Sequence, residues 1–289
     1  MTAPWPPRCA RATRFSAAVP RPFLLPLALL VSLPAEAAPA PDYTSALRRL
    51  APHDASYQLH FAGSPDGTVV GGVGSMDYRV MDACDAWATQ QRLVLDIVSN
   101  TGTPTHMVSD YTTYEAKNGR RLRFRLQETT DGARTSNIAG VADIVHGHGM
   151  VHYTAPRIRA VTLPAGTLFP MAHTAHIIAQ AEAGEKFFAL PLFDGSSETG
   201  AEDTFVVVTG HAAAAPQKFP FLSGLASDRV NIVFYDHDSL SSEPDYATAM
   251  RYWTNGVAGD VAMNFGDFVM DGTLTRLTPG RLGCPGGHD

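Results

Sequence analysis

Eleven histidines and three cysteines are the residues of this chain whose types best suit metal, acid–base or nucleophilic chemistry. His146, His148 and His152 share one parity, so on a single strand they would share a face. His173 and His176 are three apart and would share a face of a helix. Either set could in principle ligate a metal. Neither has the HExxH arrangement, however, and no cysteine is near enough in sequence to add a ligand. Both sets therefore read as surface and edge histidines, and neither a metal nor a cofactor is expected. Ser75 sits in Gly72-Val73-Gly74-Ser75-Met76, where the G-x-S-x-G spacing of a nucleophile turn is not met. These glycines mark a bend or bulge in a strand instead. Asp194, Ser196 and Glu198 alternate as calcium ligands would, but the glycine an EF-hand requires is missing and no helix directly precedes them, which leaves a polar hairpin loop. Asp236-His237-Asp238 lies at a strand end and reads as turn chemistry rather than an acid–base pair. With no phosphate-cradling loop and no dinucleotide fingerprint either, no catalytic residue is assigned.

The cysteines lead from chemistry to compartment. Arg8, Arg11, Arg14 and Arg21 precede an apolar stretch, Phe23 to Leu33, too short to span a bilayer. Ala35-Glu36-Ala37 follows with the small-x-small pattern of a cleavage site. Residues 1–37 are expected to be a signal peptide and residues 38–289 a single mature domain, placed in the periplasm. Cleavage removes Cys9, four arginines and one glutamate, taking the formal charge from −6 to −9. A net acidic field does not favour nucleic acid. No later segment is apolar for long enough to cross a membrane. Cys84 and Cys284 remain, either as two free thiols or, after export, as one disulfide. That bridge would close a loop of about 200 residues, for which chain entropy gives roughly 5 kcal/mol as an upper figure.

The elements that must position these residues are strands. Asp66-Gly67, Asn118-Gly119, Asp131-Gly132, Asp194-Gly195, Asn255-Gly256 and Asp271-Gly272 are dipeptides that tolerate tight hairpin turns. Between them the sequence alternates. In Arg121–Leu126 apolar side chains face one way and arginines the other, and Leu93, Leu95 and Ile97 alternate with Arg92 and Asp96 in part of their run. Period-two patterning with one wet face marks antiparallel sheet. Phe205–Val208 and Ile232–Tyr235 are apolar on both faces, as strands covered on each side or facing a cavity would be. Residues 170–185 instead carry Pro at the start, several alanines and Gly184 near the end, with Met171, Ala175, Ile178 and Glu182 at helical spacing. One helix packed on the sheet is predicted there, with a short leading helix over Tyr43–Leu50.

Several segments taken in order carry a resemblance. Gly74-Ser75-Met76-Asp77-Tyr78 leads into Cys84-Asp85-Ala86-Trp87 and Gln91-Arg92. Ser109-Asp110-Tyr111 precedes Tyr114-Glu115 and the Asn118–Phe124 hairpin. Leu163–Pro170, His173-Thr174, Pro191–Gly195, Phe265–Val269 and Gly272-Thr273-Leu274 complete the series. Together they resemble the cell-envelope integrity protein EipB family of α-proteobacteria. That resemblance implies an all-β fold in which a long antiparallel sheet curls into an open, spiral, β-barrel-like shell. It also implies a disulfide from an early cysteine to a C-terminal one, matching Cys84 and Cys284, and a role in maintaining the envelope without an established enzymatic activity.

The expected function is accordingly that of a non-enzymatic periplasmic factor that maintains envelope integrity by binding an envelope protein or component. The alternative is a carrier or sensor for a lipid or a lipoprotein acyl chain. Its apolar groove would be lined by Val206, Val208, Ile232, Phe234, Met263 and Phe265, and the competing reading of these residues is ordinary core packing against the helix. A hydrolase built on His237 and Asp238 is the least favoured expectation.

Overall fold

The computed structural model describes residues 40–239 and 243–281. Helix α1 (Tyr43–Arg49) opens the described chain. The Asp42 side chain accepts the Ser45 amide at 2.9 Å, which supplies a partner for one of the free N–H groups of the first turn. A first meander follows: β1 (His53–Gly63), β2 (Val69–Asp82), β3 (Ala86–Ser99) and β4 (Pro104–Ala116). It continues through β5 (Arg121–Thr130), β6 (Ala133–Val145), β7 (His148–Ala155) and β8 (Arg159–Leu163). Helix α2 (Pro170–Glu182) interrupts the strands, and the second meander is β9 (Phe187–Leu192), β10 (Glu202–Ala212), β11 (Ser227–Asp236), β12 (Tyr246–Trp253), β13 (Ala258–Asn264) and β14 (Val269–Pro279).

All fourteen strands belong to one antiparallel sheet in the order β8-β7-β6-β5-β4-β3-β2-β1-β14-β13-β12-β11-β10-β9. The last strand returns to pair with the first, so β1 joins the two meanders. The edges are β8 and β9. They do not pair with each other, and the connection carrying α2 runs between them, with Leu168 bridging Leu192 of β9. The sheet is therefore a curled, open shell, as the resemblance implied.

The alternation read in the sequence appears directly as burial. In β5, Leu122, Phe124 and Leu126 are buried and Arg121, Arg123 and Arg125 are exposed. Asp131-Gly132 turns β5 into β6 with both φ angles positive, at 51° and 79°, the geometry of a type I′ hairpin. His146-Gly147 does the same between β6 and β7, at 50° and 81°, so one of the histidines weighed for metal binding is a turn residue. Asp271-Gly272, by contrast, is no turn. It lies inside β14, where a Cβ on Gly272 would come within 2.8 Å of the Leu59 side chain.

Four packed regions surround the interior, the largest of them around Leu59, Met263 and Met270 of β1, β13 and β14. Phe124, Tyr153, Phe169 and Phe193 form an edge-to-face aromatic group beneath β5–β7, with Phe124 and Phe193 ring centroids 5.2 Å apart. α1 and α2 lie together over Val80 and Trp87, and Arg49 bonds Glu182 between them at 2.5 Å. Ile177 and Ala181 of α2 cover Val206, Val208, Val230 and Ile232 of β10 and β11. The covered-both-sides reading of these last strands holds for the inner face only: Phe205 points outward and is 43% exposed. The alternate side chains of β10 face away from α2, which leaves that outer position partly open.

Candidate functional site

Inside the shell is a cavity of about 480 Å³, a size at which small-molecule sites are common. Both meanders wall it. Tyr57, Met76, Tyr78, Leu93 and Tyr111 reach it from the first, and Phe234, Tyr246, Met250, Tyr252, Met263 and Phe265 from the second, while α2 adds Met171 and Thr174. Most are the inward members of alternating strands, which is why the interior is rich in methionine and tyrosine while the outer faces of the same strands carry charge. Methionine and tyrosine suit a binding wall. Thioethers conform to irregular shapes, and phenols combine an apolar ring with one polar atom.

The phenols are held neutral. The Tyr57 hydroxyl donates to the Ala258 carbonyl at 2.7 Å, and Tyr111 donates to the carbonyl of Asp194. Burial pushes Tyr57, Tyr78 and Tyr111 well above the usual phenol range and raises Tyr246 to about 12. Each therefore serves as a hydrogen-bonding group and not as a base.

Carboxyl groups supply the remaining polarity. Asp194 accepts the Ser196 amide and hydroxyl at 2.8 and 2.7 Å, so the polar loop expected from Asp194, Ser196 and Glu198 is an Asx turn whose first residue faces the cavity. Desolvation raises the Asp194 carboxyl. It also raises Glu202, to about 8, with Asp194, Asp245 and Asp236 adding repulsion. Glu115, on β4, accepts the amides of Met171 and Ala172 at 2.7 and 2.9 Å, capping the start of α2 from across the interior. Its pKa stands at about 7 because burial outweighs those two bonds.

The sequence-derived site residues divide between two environments. Phe234, Met263 and Phe265 line the cavity. Val206, Val208 and Ile232 do not; they pack against α2, as the competing reading of ordinary core packing had it. Cys84 follows β2, its amide bonded to the Asp82 side chain at 2.9 Å, and Cys284 lies outside the described residues, as do residues 1–37. Ser75 is exposed on the outer face of β2; the register shift of this strand lies earlier, at Val69/Gly71, and the pairing runs unbroken through Gly72 and Gly74, where close approach of Val94 and Leu95 accounts for the second glycine. His237 Nδ1 lies 2.9 Å from Asp203 at the surface, while Asp238 closes a turn through Asp236. His173 corrects the expectation of surface histidines. It is 5% exposed, and its Nε2 donates to Thr204 Oγ1 at 2.8 Å, which in turn donates to the Leu190 carbonyl. Burial lowers His173 to about 3, so it stays neutral and ties α2 to β10. His176 is turned away onto Tyr43, with ring centroids 3.9 Å apart. Among the described residues, no group of three or more His, Cys, Asp or Glu is placed to hold a metal ion.

Sequence reasoning missed Glu115, Glu202 and His53. A signal was available for the first: Glu115 has the parity of Tyr111 and Thr113, which makes it an inward acid on a strand with a buried face.

The family description EipB-like matches residues 44–280, which spans every strand of the sheet. This chain belongs to the EipB-like family. Among its members, the cell envelope integrity protein EipB of Brucella abortus (strain 2308) is 30% identical over 236 residues, covering 79% of this chain and 84% of that one. A solved EipB-like fold is similar as well. The crystal structure of a β-barrel-like protein of a domain of unknown function from Brucella abortus superposes with a TM-score of 0.73 at 28% identity, over 80% of this chain and 98% of the other. No helix among the described residues is long and apolar enough to cross a membrane.

Proposed function

We propose that this EipB-like protein is an exported, non-enzymatic factor that maintains the cell envelope by binding an envelope component. The name of the Brucella abortus relative supports the envelope role. Binding rather than catalysis is supported by an interior whose buried phenols and His173 stay neutral and whose Glu115 caps α2, with no nucleophile paired to a base among the described residues. Deletion of the gene is expected to sensitise cells to detergents and cell-wall antibiotics; unchanged growth under all such stresses would remove this reading.

The cavity favours a narrower form of the same function, in which the bound component is apolar or carries an apolar chain. The carrying observation is a cavity of about 480 Å³, open on one part, walled by methionine, tyrosine and phenylalanine from both meanders. Native mass spectrometry and solvent extraction of protein purified from the periplasm should reveal a co-purifying lipid or acylated ligand. A clean unliganded mass from cells grown under several conditions would count against it.

Export and the Cys84–Cys284 disulfide belong to the same proposal. His53 pairs with Pro279 on one side and Val80 on the other, and the Gly280 amide bonds the Pro52 carbonyl at 2.8 Å. The tail thus leaves the sheet about two strand spacings, roughly 10 Å, from the end of β2. The four residues from Gly280 to Cys284 can span up to about 14 Å. Purified mature protein should begin at Ala38 and show no reactive thiol until it is reduced. Cys84→Ser should lower the melting temperature with the circular dichroism spectrum unchanged.

A further inference from the structure

The charge lining the cavity is of one sign. Glu128, Asp194 and Glu202 reach it, and no lysine or arginine does. Around Glu202 the charged neighbours are Asp194, Asp245 and Asp236, all acids, while the Tyr111 hydroxyl is spent on the Asp194 carbonyl. Buried carboxyl groups ordinarily meet a cation or several donors. Asp194 has the two bonds to Ser196, while Glu128 and Glu202 are partly buried and no protein donor meets their side chains among the described residues.

A second group asks for the same thing by different chemistry. His53, which also lines the cavity, is 2% exposed. Its Nδ1 lies 2.7 Å from the Ala51 carbonyl oxygen, and because a carbonyl only accepts, Nδ1 carries the ring proton. Burial disfavours the charged ring, so Nε2 keeps a lone pair, and that atom meets no donor in the protein. His53 Nε2 and the carboxyls of Glu128, Asp194 and Glu202 thus line one cavity with Met76, Leu93, Met250 and Met263, and what they offer a ligand is acceptors.

We infer that the cavity takes a single-chain amphiphile whose polar end is a cationic amine, and that it rejects anionic lipids. This rests on the reading of the cavity as a ligand site and names the class of ligand. An ammonium group brings three donors and a positive charge to a wall that has acceptors and no cation. A fatty carboxylate or lipid phosphate would find no cation there, and its charge would oppose ionisation of the Asp194 and Glu202 carboxyls, where low polarity magnifies repulsion. Rejection by unpaired like charge is a strong source of selectivity. An incoming ammonium also favours the ionised form of the raised Asp194 and Glu202 carboxyls, so binding displaces protons from these two and strengthens as pH rises from about 6 to about 8.

The test uses the full mature chain and three twelve-carbon probes below their micelle concentrations: dodecylamine, monolaurin and laurate. Binding is read by calorimetry and native mass spectrometry at pH 7.5. Because an acidic surface attracts cations, only saturable one-to-one binding that monolaurin displaces counts as occupancy of the cavity. Dodecylamine is expected to bind at least about tenfold more tightly than laurate, with monolaurin between them. Glu202→Gln and Glu128→Gln should each shrink that ratio by about threefold or more, with the circular dichroism spectrum unchanged. Laurate binding as tightly as dodecylamine, or a ratio unmoved in both variants, overturns the head-group assignment and leaves the apolar-ligand reading standing. Absence of one-to-one binding by all three probes overturns both.

Discussion

Ile232 and Phe234 are neighbouring inward positions on β11, and their surroundings differ completely. Ile232 is 3% exposed and lies with Val206, Val208 and Val230 under Ile177 and Ala181 of α2. Phe234, one inward step along, is only partly buried; it meets Tyr246 at a centroid distance of 5.5 Å and faces the cavity. Strand, sheet and apolar character are shared. What separates the two is whether the helix reaches them. A curled sheet presents more inward apolar surface than one short helix can cover, so the part beneath α2 becomes close-packed core and the part beyond it becomes the wall of a cavity. The lesson is that an inward apolar residue in such a shell has two fates, decided by an element from elsewhere in the chain.

Truncation on the two sides should separate these fates most sharply. Ile177, 1% exposed on α2, lies in the close-packed half, and Ile177→Ala is expected to cost about 2–5 kcal/mol in urea denaturation. On the cavity side Phe234→Leu should cost less than about 1.5 kcal/mol, because its neighbourhood is already loosely filled. Equal losses would mean that the helix-covered half is no better packed than the cavity wall.

The carboxyl groups extend the comparison to pH. Glu115 caps α2 and Glu202 faces the cavity, and burial raises them from 4.5 to about 7 and about 8 respectively. A raised acid holds its proton longer when folded than when unfolded, so the folded state binds more protons between the two values, and stability falls as pH rises through that window. Chemical denaturation from pH 4.5 to 8 should show this decline. Glu115→Gln is expected to flatten the part below about pH 7, and Glu202→Gln to flatten the decline up to about pH 8. A wild-type stability that climbs steadily with pH would contradict both environments.

The smallest effect is expected on the outer face. Arg92 and Asp110 pair at 2.6 Å across β3 and β4 with both side chains about half exposed. Arg92→Ala should change stability by less than about 1 kcal/mol. A larger loss would mean that the charged outer face contributes more to holding the meander than its exposure allows.

Much of the fold was legible because local rules decide it. The alternation of Arg121–Leu126 became the burial pattern of β5, and the Asp131-Gly132 turn is where its composition placed it. Residues 170–185 held the long helix, and Tyr43–Leu50 the short one. Other signals misled for reasons the structure makes clear. Asp271-Gly272 has turn composition but lies opposite Leu59, where closeness of neighbouring side chains accounts for the glycine. The His146-Gly147 turn went unread because Asn-Gly and Asp-Gly alone served as turn signals, although histidine too adopts a positive φ more readily than most side chains. His173 was assigned to the surface because its partner Thr204 is 31 residues away on another strand.

Composition and periodicity alone determined that this chain alternates, where turns such as Asp131-Gly132 fall, and which side of strands such as β5 faces inward, since each depends on residues within a few positions of one another. Whether an inward position is filled by α2 or left beside open space was decided only when β14 returned to β1 and the two meanders enclosed a common interior. The unusual state of Glu115, Glu202 and His53 was decided there too, because removal from water is a property of the enclosure and of no single segment.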